Sequence, residues 1–553
     1  MVNPVDAACL AACDVLERGA SFLAGPGGTE ALMAMSSRAR NAAAAARDAA
    51  PSPRALARLA ALAAGPDPAI CRMALQLICE LKAGLGPSRA AAIAGHAGLA
   101  AAIAAALRDQ RAGPQVVLKR RAAALAARDL LAEPAARDAF EAQPSDPLAA
   151  LVELVTFPVV MEEGGPAPPP PPPAQVFGPA FAALGAFLEP QSSAEPPRRC
   201  AALDARCRGR GGGAPAGGGC ALDGLRLNAI FALQPGLTVD AWHGVARFVM
   251  AAVQAYPRQD VARCLASKQL VGSLLRLVRL APSSRGACPR GCSCGVRESE
   301  LNAGYAVTAR DHALGALLAL MQRLNANPAL AEAISSDEAA LAALAAMLGP
   351  PRPDIMGDAL SAYESDPGPG APTAVACSLL MLAALGGGAA ARCRIALAEG
   401  MPAAIAHLLT PSAADPRTRC AGVVLSALSL LSKLLSAQVG EEMATPFLSR
   451  GIGQAARGPL LESLRSLGSM HRGGSDSEGE GDSKGEGEGE GEEAGGSGGE
   501  EEDDGGAAAA EALFGATLSP QLRGSLAQGA SMARFCHLQL HMFFNSALGQ
   551  ILE

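Results

Sequence analysis

Residues Ala55–Leu81, ALARLAALAAGPDPAICRMALQLICEL, and Leu99–Leu131, LAAAIAAALRDQRAGPQVVLKRRAAALAARDLL, carry one pattern twice. Each stretch is an apolar helix, a break at Gly and Pro, then a longer amphipathic helix. Leu62 and Leu107 close the first helix of the two copies, 45 residues apart. A helical unit that returns at such an interval cannot bury its apolar face alone. It gains a core only by stacking on the next copy, so the pattern predicts an elongated array of helical repeats.

The rest of the chain agrees with that reading. At 553 residues it is too long for one compact core. Half of the residues are hydrophobic but only 3% are aromatic, and Ala and Leu supply most of the apolar text. Strong helix formers thus dominate and strand formers are sparse, which predicts an all-α protein. The net charge of -7 is unevenly spread. Gly473 to Gly506 holds fourteen acidic residues against one lysine, a balance of -13, so the remainder is at +6. A mildly basic body with an acidic insert follows.

Composition shifts divide the chain. Residues 1–50 read as N-terminal capping helices and 51–157 as repeats. Residues 158–220 read as Pro/Gly/Arg-rich inserts around one short helix, beginning near a tract of six prolines that takes an extended polyproline II form. Repeats resume over 221–465, broken by a Cys-rich insert at 281–304 and a loop at 349–371. An acidic disordered insert covers 466–510, and capping helices cover 511–553. The start, MVNPVDAACLAACDVLERG, lacks the basic region of an import or secretory signal. The longest strongly apolar run, Ala374 to Leu385, is too short to span a bilayer. The expectation is a cytoplasmic protein, with the nucleus as alternative, whose helical cysteines are buried reduced thiols.

Ala316–Leu348 and Ile395–Leu435 show a short helix, a turn of small residues, an apolar helix ending in Leu-Leu, and a long third helix. Glu399-Gly400-Met401-Pro402 supplies an acidic-Gly-x-Pro turn between the first two. In these features the chain resembles the armadillo/HEAT family. The resemblance implies a right-handed α-solenoid of six to eight armadillo-like repeats over about 50–465, with disordered Pro/Gly-rich and acidic inserts. It also implies peptide binding in a groove lined by third helices, here Val116–Leu131, Thr238–Tyr256, Ala309–Leu324, Pro372–Leu385 and Arg417–Leu435. The Trp and Asn ladders that hold basic peptides in the family's nuclear-import adaptors are missing. Trp242 is the single tryptophan, and the other four helices carry neither residue.

The cations on those helices are the candidate partner-binding residues. Lys119, Arg120, Arg121 and Arg128, with Arg310, Arg323, Arg417 and Arg419, would form a basic strip for extended or acidic peptides, and Trp242 is a further contact residue. The alternative is a solvated helix face. Cys288, Cys292 and Cys294 form the one metal-like cluster, three thiols where zinc needs four ligands, so free loop thiols are the better reading and no cofactor is expected. Ser475, Ser477 and Ser483 sit in acidic contexts that suit phosphorylation by an acid-directed kinase. His537 and His541 share a helical face but lack the glutamate of a zinc-protease helix. No phosphate-cradling glycine loop at a strand–helix junction, no nucleophile elbow and no close acid pair in an ordered segment is present, so the chain reads as a non-enzymatic scaffold. The alternative is a nucleic-acid-associated protein whose basic body is regulated by the acidic insert.

Overall fold

The computed structural model describes residues 3–156 with breaks at 24, 47–48, 83–86 and 112. It then describes 174–189, 196–208, 239–279 without 258, 298–350, 372–435 without 413, 454–469 and 531–538, with single residues at 222, 229 and 529. The Cys288, Cys292 and Cys294 loop, the acidic insert with Ser475, Ser477 and Ser483, the loop at 351–371 and the Pro tract lie outside the described residues. Every regular element among the described residues is helical. The fold is all-α.

The chain divides into two compact units, Met1–Asn325 and Ala326–Glu553. In the first, the helices are α1 (Pro4–Leu16), α2 (Ala20–Leu23), α3 (Pro26–Ala45), α4 (Pro53–Ala63), α5 (Pro68–Lys82), α6 (Pro87–Gly95), α7 (Ala97–Arg108) and α8 (Pro114–Leu131). They continue with α9 (Pro134–Glu141), α10 (Pro147–Val155), α11 (Ala174–Leu188), α12 (Pro196–Arg208), α13 (Val239–Ala255), α14 (Gln259–Leu265), α15 (Lys268–Val278) and α16 (Glu298–Arg323). The second unit holds α17 (Pro328–Ser335), α18 (Glu338–Leu348), α19 (Pro372–Gly386), α20 (Gly388–Leu397), α21 (Met401–Leu409), α22 (Ala421–Leu434) and α23 (Gln454–Ser469).

Proline sets where many of these helices begin. Pro4, Pro26, Pro53, Pro114, Pro134, Pro147 and Pro328 all stand in a first turn. There the missing N–H is no loss and the fixed φ suits the helix. The Gly-Pro breaks of the sequence are therefore starts of the following helix. Side chains complete several of these ends: Asn3, Ser52, Asp146, Asn327 and Asp337 accept from backbone N–H groups of the turns they precede.

Packing follows the repeat. In the first unit a row of long helices runs α3, α5, α8, α11, α13, α16, each against the next. A second row runs α1, α4, α7, α10, α12, and the short helices α6 and α9 touch in a third. The second unit repeats the scheme with α19 on α22, α18 on α21 on α23, and α17 on α20. A short helix, a middle helix and a long one recur as α6–α8, α9–α11, α14–α16, α17–α19 and α20–α22. The short helix, α6, sits between the two copies from which the repeat was read and was not expected there.

Buried arginines on the short helices hold the C-terminal ends of long ones. Arg89 on α6 is fully buried and donates to the carbonyls of Ala49 (2.6 Å), Leu81 (3.1 Å), Ala43 (3.3 Å) and Ala46. Arg137 on α9 donates to Leu131 (2.7 Å), Glu189 (2.6 Å) and Ala132 (3.4 Å). Arg392 on α20 donates to Ala384 (3.2 Å). The last carbonyls of a helix lack partners within it, and a planar guanidinium satisfies several at once while its charge meets the negative end of the helix dipole.

Two stretches differ in detail from the expected boundaries. A second helix, α12, falls within 158–220 beside the one expected. The sequence leaves open whether Val176–Leu233 joins the stack; α11 is buried from Val176 through Leu188 and packs between α8 and α13. Its glycines explain this placement. The backbone of α13 comes so close that a Cβ on Gly244 would overlap the Gly178 carbonyl, and one on Gly185 would lie 3.1 Å from Phe248 Cα and N. Phe177, Phe181 and Phe248 pack beside the crossing, with the Phe181 and Phe248 rings 5.4 Å apart. The Cys-rich insert expected to end at 304 ends earlier, because α16 starts at Glu298.

Candidate functional site

The long helices carry most of the expected contact residues. Trp242 is half-buried on α13, and its indole N–H has no acceptor among the described residues. One residue on, the buried His243 ring meets His312 of α16, with centroids 5.0 Å apart and planes at 53°. Arg247, one turn further along α13, pairs with Glu189 at 2.7 Å. Arg310 pairs with its neighbour Asp311 at 3.3 Å, and Arg128 with Asp129 at 2.9 Å. The result is a polar seam on α8, α13 and α16. Burial pushes His243 down to about 3, helped by His312, Arg247 and Arg128. Burial likewise pushes His312 down to about 4, with Arg247 adding to the shift and Glu189 opposing it. Both rings are neutral at pH 7.

The C-terminal ends of α13 and α16 frame a cleft of about 470 Å³. Gln254, Gln259, Gln322 and Asn325 line it with Arg323, Val253, Pro257 and Ala319. The four amide residues are exposed. Arg323 Nη2 donates to the carbonyls of Gln254 (3.0 Å) and Val253 (3.5 Å), so its charge is spent on the end of α13. Carboxamides both donate and accept, which suits them to a peptide main chain.

Several cations of the expected basic strip are engaged within the fold. Lys119 is buried and paired with Asp109, whose carboxyl is held well below the usual range by Arg111, with Lys119 contributing. Arg120 is half-buried and donates to the Leu107 carbonyl at 3.3 Å. Arg121 is half-buried too. Arg417 is clasped by Asp415 at 2.8 Å and donates to Met347 (2.9 Å) and Gly349 (2.8 Å), which ties the end of α18 to the turn before α22. Arg419 is exposed. Sequence periodicity places these cations on a helix but does not reveal that neighbouring carbonyls and carboxylates consume them. Asn and Trp spacing does not point to the amides at 254 and 322; Gln near the ends of successive long helices is the signal that does.

Asp415 closes a small network with His407 Nε2 at 2.8 Å. Burial raises its pKa, but the hydrogen bonds from His407 and Arg417 outweigh that and hold the carboxyl low. A depressed carboxylate stabilises the fold above the ordinary value of 3.8, and that contribution is lost as pH falls through the folded-state value. Asp415→Asn is expected to cost about 2 kcal/mol at pH 7. The urea midpoints of variant and parent should converge in strong acid.

Among the described residues no group of three or more His, Cys, Asp or Glu is placed to hold a metal ion. The described cysteines are free thiols, with Cys71 and Cys377 buried and Cys79, Cys393 and Cys420 half-buried. No single helix among the described residues is long and apolar enough to cross a membrane. The bent pair α6–α7 passes by length and composition only, and α7 is largely buried against α4, α8 and α10.

No protein-family model matches the chain, and comparison with curated proteins finds no match. Among solved structures, one similar chain is an engineered protein from a structural genomics consortium, at 14% identity and a TM-score of 0.47, with 97% of this chain and 99% of that one covered. A likeness of that size carries no argument about fold or function.

Proposed function

We propose that the chain is a non-enzymatic scaffold of the cytoplasm or nucleus, built as a right-handed α-solenoid of armadillo-like repeats. It binds partner proteins along the face of its long helices. The observation that carries this reading is the recurrence of short, middle and long helices, with the long helices packed in sequence within each unit. Such a row offers a continuous surface for an extended segment. The amide cleft at the ends of α13 and α16 is the contact region, and Gln254 and Gln322 pair with the main chain of the bound segment. The engagement of Lys119, Arg120, Arg128 and Arg417 within the fold weakens the nucleic-acid alternative, which needs free cations.

The test is crosslinked capture with the full chain against a Gln254→Ala/Gln322→Ala variant of unchanged helicity. Removing two exposed amides costs the fold little, so proteins bound there should be lost with a roughly tenfold drop in recovery, as two hydrogen bonds imply. Identical capture by both chains would remove the cleft from the binding surface.

A further inference from the structure

We propose that His243 and His312 form an acid-sensitive latch between α13 and α16, which opens on proton uptake before the helices unfold and changes the surroundings of Trp242. Two imidazoles share one buried contact, their ring centroids 5.0 Å apart. A proton on either ring places a cation beside the other ring and near guanidinium groups, in a setting that excludes water. The latch stands apart from the binding proposal, because it depends only on this packing.

The charges around the pair do not cancel that cost. On the α13 side Arg247 is committed to Glu189, the residue that follows α11, at 2.7 Å. Arg128 of α8 adds to the positive field and is itself paired with Asp129. On α16, Arg310 and Asp311 neutralise one another beside His312, and burial raises the Asp311 pKa, so this carboxyl is an early site of protonation. Asp204 of α12 bonds to Tyr256 at 2.9 Å, and Arg206 to Asp146 at 2.8 Å. From α14 and α15, Asp260, Arg263, Lys268 and Arg276 are exposed at the surface. Among the described residues, Glu189 is the carboxylate that acts on His312, and it is already shared with Arg247.

The direction of the pH effect follows. Both rings titrate below the ordinary 6.5 when folded, so the opened state takes the proton first. The contact is fully present above 6.5 and is lost as pH falls toward 4. Trp242 lies next to His243 and is the only tryptophan in the chain, so its fluorescence reads this place alone.

The experiment follows Trp242 emission and far-ultraviolet circular dichroism of the full chain from pH 7.5 downward. The expected result is a reversible red shift with a roughly twofold change in intensity between pH 6.5 and 4, while helicity is still retained. A His243→Gln/His312→Gln chain should show a flat emission curve over that range. If the double variant is not helical at pH 7.5, His312→Gln alone should halve the amplitude or move the midpoint. An unchanged curve in the helical variants, or an emission change that coincides with loss of helicity, overturns the latch.

Discussion

Gly244→Ala is expected to destabilise the first unit by about 3 kcal/mol, at the upper end for forcing an extra carbon into a packed interior. The new Cβ would meet the carbonyl and Cα of Gly178, which are main-chain atoms of α11 and cannot rotate aside. Relief requires α11 and α13 to move apart, and that opens the phenylalanine cluster of Phe177, Phe181 and Phe248. Gly272→Ala on α15 is the matched control. It adds the same carbon to a helical glycine with nothing within 4 Å, so it should stabilise by about 0.5–1 kcal/mol through backbone entropy. Urea midpoints of the two single variants check both signs. Equal tolerance would mean that α11 does not touch α13 in this way.

Arg137→Met is expected to cost about 3 kcal/mol, because carbonyls at the end of α8 and beyond α11 lose a buried donor. The loss extends past α9 itself, since Leu131, Ala132 and Glu189 belong to different parts of the long-helix row. Arg137→Lys separates geometry from charge. A single ammonium cannot reach carbonyls at 2.6, 2.7 and 3.4 Å in the directions of a planar fork, so Lys should recover less than half of the stability. Full recovery by Lys in urea unfolding would show that charge alone matters at this position.

The long helices were legible in the sequence, and the reasons are local. Val116–Leu131 was read within two residues of α8, and Pro372–Leu385 within one of α19, because proline starts these helices and Ala and Leu fill them. The all-α class followed from the same composition. What was not legible depends on partners distant in sequence. Val176–Leu188 reads as one short helix in a Pro-rich neighbourhood, and nothing local shows that Gly178 and Gly185 allow the main-chain contact that α13 provides. Periodicity gives no sign that Arg89, Arg137 and Arg392 are buried and donate to carbonyls of other segments. Lys119, Arg120 and Arg417 are engaged by neighbouring groups that periodicity does not reveal, while the amides at 254, 259, 322 and 325 come together only when α13 and α16 pack.

The central claim is that the long helices form one row through α11, with no break at the Pro-rich text on either side. Hydrogen exchange of the full chain at pH 7 tests it directly. Backbone amides of 176–188 should exchange as slowly as those of α8 and α13, since their helix is buried along its length and packed on both. Exchange of that segment within seconds, while α8 and α13 stay protected, would place α11 outside the row and contradict the account.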